Sequence, residues 1–197
     1  MARITHTFDF PDRCVAGTTG EPGMRTFVLQ AREGSRLVSV VCEKQQVQVL
    51  ADHLERILDE LTKLGVGELE IPPAVATAAD LDPLDVPIDQ DFRVGTMTIA
   101  WDSENDCIQI ELFAVVDEDD VDPLADMVFG EDAEPMAAEE ALTVRLFPAA
   151  ARQFVARSRS LVQAGRPACP FCAQPINPAG HICPRSNGYR TPLFDLT

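Results

Sequence analysis

The chain has 197 residues, of which 46% are hydrophobic, and it carries 32 acidic against 16 basic residues for a formal net charge of −16. This length and hydrophobic content suffice for a buried core in one domain or two small ones. No run of eighteen apolar residues occurs and the first residues turn polar at once, so we expect neither a transmembrane helix nor a signal peptide.

The charge is distributed unevenly along the chain. Residues 1–140 hold 9 basic against 31 acidic residues, whereas residues 141–197 hold 7 arginines, no lysine and one acid. The acidic part would be repelled by a polyanion, so nucleic-acid binding is disfavoured and a protein partner is expected instead. Cys14, Cys42 and Cys107 lie far apart in the sequence, which is typical of proteins from a reducing compartment. We therefore expect a cytoplasmic protein without a membrane partner.

Residues 1–67 are predicted to form a β-rich half that ends in a helix. Strands are predicted by alternating or continuous apolar residues, and a hairpin by the turn at residues 33–35. The helix carries one apolar stripe and ends at Gly65. The predicted elements are strands over residues 4–10, 14–17, 25–32 and 36–42 and a helix over 44–64, with Val47, Leu50, Leu54, Ile57, Leu58 and Leu61 on its buried face.

Residues 68–90 are rich in proline and acid, which predicts an extended linker. A second β-rich half is expected over residues 91–164. It includes an acidic loop at residues 117–140, where eleven acids and no basic residue predict mobility. Its predicted elements are strands over 91–101, 107–116 and 140–147 and a helix over 149–164 with Phe154, Val155, Leu161 and Val162 apolar.

The order of predicted elements repeats, since three strands and a helix occur twice. At an offset of 104 residues the apolar positions of the strand at 36–42 fall on those of the strand at 140–147, and the helices also align. The match is one of pattern with little identity, so duplication of a βββα unit and coincidence both stay open. Either way, we predict an α+β fold of antiparallel sheets covered by two helices, followed by a small zinc loop at residues 165–197.

The C-terminal segment contains a cluster of metal-ligand residues: Cys169, Cys172, His181 and Cys183. Two cysteines on a tight turn, followed about ten residues later by a histidine and a third cysteine, are typical of a tetrahedral structural Zn²⁺ site. A redox Cys-x-x-Cys motif normally opens a helix in a βαβ unit, which the sequence does not predict here. A catalytic zinc would need an open position and a nearby general base, and the segment offers no such base.

Arginines concentrate on the last predicted helix and just after it. Arg152, Arg159 and Arg166 recur every seven residues and therefore share a helix face. Arginine without lysine favours bidentate recognition of carboxylate or phosphate. Two hypotheses stay open: this face binds a phosphate or a partner, or it docks onto acidic residues of the same chain.

Four segments near the two ends of the chain carry a family resemblance: residues 7–18 (TFDFPDRCVAGT), residues 23–27 (GMRTF), the Cys169-Pro170-Phe171-Cys172 turn and residues 180–189 (GHICPRSNGY). They give the chain a resemblance to the actinobacterial DUF3090 family. It spans nearly the whole chain. It implies an intracellular protein encoded near a histidine-phosphatase-like protein, and it implies no particular activity.

The sequence therefore favours a non-enzymatic interaction or adaptor protein with a structural zinc site. The alternative is a hydrolase or a nucleotide- or phosphate-handling enzyme with a pocket between the two β-rich halves, lined by His6, Arg13 and Arg25. Cys14, next to Arg13, is expected to be an inert buried thiol and not a nucleophile. The sequence shows no nucleophile elbow and no phosphate-binding glycine loop that would favour the enzyme.

Overall fold

The computed structural model describes residues 3–21, 23–65, 71–74, 77, 79–116, 138–164, 169–172, 183 and 185. Within these residues the chain forms seven strands and two helices. They are β1 (Ile4–Asp9), β2 (Arg13–Thr19), β3 (Thr26–Glu33), β4 (Arg36–Cys42), α1 (Lys44–Leu64), β5 (Val94–Asp102), β6 (Cys107–Ala114), β7 (Glu140–Leu146) and α2 (Pro148–Gln163). Neither described helix combines the length and the apolar character that crossing a membrane requires.

The strands form two sheets, and the fold is α+β as the sequence predicts. One sheet has the order β1-β7-β6-β5 and the other the order β2-β3-β4. The second sheet is antiparallel throughout, whereas β1 pairs with β7 in parallel, so the first sheet is mixed. An antiparallel meander followed by a helix occurs twice, as β2-β3-β4-α1 and as β5-β6-β7-α2.

Most buried apolar residues of both sheets and both helices belong to one hydrophobic core. It includes Leu29 and Val40 from the three-stranded sheet, Ile110 and Val144 from the four-stranded sheet, and residues of each helix. Residues 27–31 of β3 are all buried, which means that both faces of the three-stranded sheet are covered. One face of this sheet packs on the core, and the other face contacts the segment of chain between α1 and β5.

Helix α1 follows the sequence prediction closely. Gln46 accepts a hydrogen bond from the backbone N–H of Glu43 at 2.8 Å, and Gly65 ends the helix with a φ of 61°. The residues it buries are all apolar: Val47, Leu50, Ala51, Leu54, Leu58 and Leu61. Ile57, predicted in the same stripe, packs at the margin of the core.

Helix α2 buries polar and apolar side chains on one face. It starts with Pro148, whose missing N–H is not needed in the first turn. Phe154 and Val155 are buried as expected, while Leu161 and Val162 are only partly buried. The buried face also includes Arg152, Arg157 and Ser158. The helix packs against α1 and against β2.

The part of the predicted linker that the structure describes forms no α-helix and no strand, but it lies against the protein. Residues 80–85, here called the strap, cross the outer face of the three-stranded sheet. Further on, the Asp91 N–H donates to Ser39 O at 2.9 Å and the Val41 N–H donates to Phe92 O at 2.9 Å. Residues 91–93 thus run beside β4 before the chain enters β5 in the other sheet.

Several predicted strand and helix ends differ from the structure by one to three residues, and two boundary differences have a structural reason. Phe10 lies outside β1 because its φ of 57° turns the chain towards the other sheet, and its ring stacks on Phe147 with centroids 4.0 Å apart. Ala138 is buried beside Phe113, so the last residues of the predicted acidic loop pack against the sheet. The remainder of that loop, residues 117–137, lies outside the described residues.

Candidate metal centre

Three cysteine thiols meet after α2. Cys169, Cys172 and Cys183 have all their Sγ atoms within 4.8 Å of one another, and the Sγ atoms of Cys169 and Cys183 are 3.6 Å apart. A disulfide has an S–S distance of about 2.05 Å, so these groups are thiols. Among the described residues, this is the only cluster of three or more potential ligands so close together.

Local structure brings the thiols together. Residues 170–172 form a turn, so the cysteines on either side of Pro170 and Phe171 point to one place. The Arg185 guanidinium donates to Phe171 O at 3.1 Å, which ties the chain just beyond Cys183 to this turn. Cys169 and Cys183 are each 5% exposed, while Cys172 is partly exposed.

The donor set fits a thiolate-binding metal ion. Zn–S bonds of about 2.3 Å in a tetrahedron separate two sulfurs by roughly 3.8 Å, close to the shortest distance observed here. Three adjacent thiolates, two of them buried, would repel one another without a cation between them, which favours metal binding over bare thiolates. Three cysteines can therefore bind a metal ion. His181, predicted as the fourth ligand, lies outside the described residues.

The arginines predicted as a binding face contact acidic residues of α1. Arg152 is only 3% exposed; it pairs with Asp59 and donates to Pro72 O at 3.1 Å. Arg159 pairs with Asp52 at 3.3 Å and with Glu55. These contacts are the ones that the internal-docking hypothesis predicts for the pair. Arg166, the third member, lies outside the described residues.

The three residues proposed to line a pocket have separate neighbours. His6 lies 4.0 Å from Glu140, on the first sheet. Arg13 begins β2 and contacts the strap. Arg25 donates to Ala164 O at 2.8 Å and precedes Thr26, which pairs with Thr19 at the far end of β2. Arg13 and Arg25 thus lie about 20 Å apart along the strand, and the structure does not bring them together.

Burial keeps the other thiols protonated. It raises the pKa of Cys14 to about 12 and is the main reason why the pKa of Cys42 is also about 12. It also raises the pKa of Cys107. The basic neighbour Arg13 does not activate Cys14, in agreement with the expected inert thiol.

Sequence reasoning missed an extensively hydrogen-bonded, buried arginine. Arg157 is 9% exposed; it donates to Ala16 O at 2.6 Å, to Asp80 O at 2.6 Å and to Asp82 O at 2.7 Å. Its burial lowers the pKa of the guanidinium, and Asp80 opposes that shift. The one available signal was its spacing, because position 157 follows Phe154 by three residues on the buried face.

Comparison with known proteins yields one match. No curated protein and no solved structure matches the chain. The model of the family described as "Protein of unknown function (DUF3090)" matches residues 6–183, which include strands β2 to β7, the strap, both helices and the three clustered cysteines. The chain therefore belongs to the DUF3090 family.

Proposed function

We propose that the protein is a non-enzymatic interaction or adaptor protein whose C-terminal segment is stabilised by a structural zinc ion. The observation that carries the proposal is the cluster of Cys169, Cys172 and Cys183, with sulfurs within 4.8 Å and two of the three side chains almost fully buried. His181 is proposed as the fourth ligand. Four protein ligands leave no position for a substrate or a water molecule.

Zinc is the metal that this donor set favours. Soft thiolates select Zn²⁺, Cu(I) and iron–sulfur clusters, and a Cys₃His set is common in structural zinc sites. When bound, the ion would supply cross-links between the turn at residues 170–172 and the segment that follows it. The rest of the chain has its own core, so we expect it to fold without the ion.

The positions of the arginines support a binding role over phosphate chemistry. Arg13, Arg152 and Arg157 each have a carboxylate of the same chain as a partner. A phosphate group would have to displace these internal partners. The thiols of Cys14 and Cys42, with pKa values near 12, are poor nucleophiles at neutral pH.

Elemental analysis of the full-length protein tests the metal part of this proposal. We expect one zinc per chain in the wild type and in Cys14→Ala, a control that removes a cysteine outside the cluster. Cys172→Ala should lose most of the zinc because three ligands hold it far less tightly. Absence of zinc from the wild type, or full zinc in Cys172→Ala, would contradict the assignment.

Activity assays test the non-enzymatic part. The wild-type protein, loaded with zinc, is incubated with generic phosphate-ester and carboxylic-ester substrates with and without a chelator. We expect no hydrolysis above the rate of the buffer. Hydrolysis that a chelator abolishes and that Cys172→Ala lacks would overturn the adaptor proposal in favour of a catalytic zinc site.

A further inference from the structure

The strap is bound by the side chains of the sheet and helix beneath it. The Arg13 guanidinium donates two hydrogen bonds to the Asp80 carboxylate, of 2.7 Å and 3.1 Å, and one to the Asp85 carboxylate, of 2.9 Å. It also donates to the backbone oxygens of Asp82 and Pro83 at 3.0 Å and 2.9 Å. The Arg13 partnership is the main reason why the pKa of Asp80 is lowered. One arginine thus contacts both backbone and carboxylates of an extended segment.

Two further side chains bind the strap through its backbone. Arg157 donates to Asp80 O and Asp82 O, so it contacts the strap from the side of α2. Gln30 is 1% exposed; its Nε2 donates to Asp85 O at 3.0 Å, and its Oε1 accepts from the Asp85 N–H at 2.8 Å. An amide that pairs with both backbone groups of one residue imitates a β-strand neighbour, which is how extended peptides are commonly recognised.

A single apolar side chain anchors the strap. Leu84 lies over Gly17, and a Cβ added to Gly17 would come within 2.6 Å of its side chain. The side chains of Leu81 and Val86, by contrast, are 82% and 81% exposed. The surface made by Arg13, Gly17, Gln30 and Arg157, here called the strap site, therefore contacts an aspartate and a leucine four positions apart and leaves residues 81 and 86 to solvent.

The sequence contains the strap pattern twice. Residues 80–84 are Asp-Leu-Asp-Pro-Leu, and residues 120–124 are Asp-Val-Asp-Pro-Leu. The position that differs corresponds to exposed Leu81, where a change of apolar residue costs no contact. Position 125 is alanine where the strap has Asp85. The second copy would therefore keep the backbone hydrogen bonds with Gln30 and lose the hydrogen bond that Arg13 donates to the Asp85 carboxylate.

We propose that the strap site is a recognition site for extended acidic peptides of the form Asp-φ-Asp-Pro-Leu, where φ is an aliphatic residue, and that residues 120–124 are its second ligand, in competition with residues 80–84. Every contact to the first, third, fourth and fifth positions of the pattern is available to the second copy. Residues 120–124 lie outside the described residues, so the argument rests on the site and on the sequence they share with its occupant.

This inference deepens the proposed adaptor function and rests on it, since it names the kind of segment that the protein binds. It does not depend on the metal. None of the three clustered cysteines contributes to the strap site, so zinc content and peptide binding can be measured on the same sample and can fail separately.

Peptide binding to a full-length variant with a weakened strap tests the proposal. In Asp80→Asn/Leu84→Ala the strap loses the carboxylate of Asp80 and its apolar anchor, while Arg13, Gln30 and Arg157 are unchanged. The probe is a fluorescently labelled peptide of residues 118–127, and the matched control is a peptide of the same composition in scrambled order. We expect saturable binding of the probe, at least tenfold weaker binding of the scrambled peptide, and tighter binding of an Ala125→Asp peptide.

Two outcomes overturn the proposal. Equal binding of the probe and the scrambled peptide would mean that the site attracts acid without recognising the pattern. No binding to the folded variant would mean that the site does not accept the second copy. If the double variant does not fold, Asp80→Asn alone replaces it, because asparagine keeps the acceptor oxygen, and the same two outcomes apply. Adding Gly17→Ala, which fills the space below Leu84, should abolish binding of the probe.

Discussion

Helices α1 and α2 pack against each other and bury different chemistry. The buried face of α1 consists of aliphatic residues alone, whereas that of α2 combines Phe154 and Val155 with two arginines and a serine. Their partners also differ. Most buried residues of α1 pack into the common core. Arg157 of α2 instead donates hydrogen bonds to the backbone of β2 and of the strap.

The difference shows two ways of holding a helix in one fold. Aliphatic burial is non-directional, so α1 needs only a partner surface of the right shape. A buried arginine must have its donors satisfied, so Arg157 fixes where α2, β2 and the strap lie relative to one another. We therefore expect the α1 contacts to contribute stability alone. The Arg157 contacts should contribute stability and also hold α2, β2 and the strap in place relative to one another.

The largest effect is expected when Arg157 is removed. Arg157→Met keeps the length and loses every donor, so Ala16 O and Asp80 O lose the hydrogen bonds that Arg157 donates, and Asp82 O keeps only the one from Arg13. Breaking a buried ion pair in this way costs about 3–5 kcal/mol. Urea unfolding should show this loss, and amide exchange should show residues 80–85 losing protection.

Arg152→Met is the matched control on the same helix. Arg152 is as deeply buried, but its Nη1 has no hydrogen-bond partner among the described residues and Asp59 is half exposed, so we expect a smaller loss of about 1–2 kcal/mol. An equal loss in both variants would contradict the distinct role given to Arg157.

In α1 the corresponding test is Leu54→Ala. Leu54 is fully buried, and a leucine-to-alanine change in a core costs about 2–5 kcal/mol. We expect this loss to be independent of salt, and the strap to keep its protection in the folded state. A strap that loosens in Leu54→Ala would mean that the two kinds of contact are coupled.

A smaller and pH-dependent effect is expected for Asp80→Asn. Arg13 lowers the pKa of Asp80 in the folded protein, so the carboxylate stabilises the fold above the ordinary aspartate pKa of about 3.9. That contribution is lost as the pH falls through the lowered pKa, because protonated Asp80 resembles asparagine. Unfolding measured from pH 7 to pH 2 should show the wild type more stable by about 1–2 kcal/mol near neutrality, with the difference vanishing in acid.

This outcome also has a clear opposite. A difference between wild type and Asp80→Asn that persists at pH 2, or grows there, would show that the charge of Asp80 is not what holds the strap.

The smallest effect is expected for the exposed pairs between the helices. Arg159 is half exposed and pairs with Asp52 and Glu55, so Arg159→Gln should cost about 0–1 kcal/mol, and less as salt is raised. Arg56→Gln is the control, since Arg56 is exposed and makes no ion pair with the described residues. A loss above 2 kcal/mol that salt does not reduce would give Arg159 a structural role like that of Arg157.

Much of the fold could be predicted because local patterns decide it. The apolar stripe of α1 and the glycine that follows it predict both ends of that helix correctly. The strands carry apolar runs of the right length. The cysteine cluster was predicted from spacing alone, and three of its four members do come together. In each case the signal lies within a few residues of sequence.

The rest depends on contacts between distant residues. Arg157 and Asp80 are 77 positions apart, so no local pattern marks either as buried, and the strap was predicted as a linker from its prolines and acids. The parallel pairing of β1 with β7 joins residues some 136 positions apart for the same reason. Docking of Arg152 and Arg159 onto acidic residues is one of the two hypotheses that the sequence leaves open, but the depth of burial cannot be predicted because an arginine is rarely buried unless it is paired.

The most direct test of the account is the ligand environment of the metal in the wild-type protein. X-ray absorption at the zinc edge of the purified chain should show three sulfurs at about 2.3 Å and one nitrogen at about 2.0–2.1 Å. In His181→Ala the nitrogen should be replaced or lost while the three sulfurs remain. A wild-type spectrum with oxygen neighbours and fewer than three sulfurs would contradict the structural zinc centre.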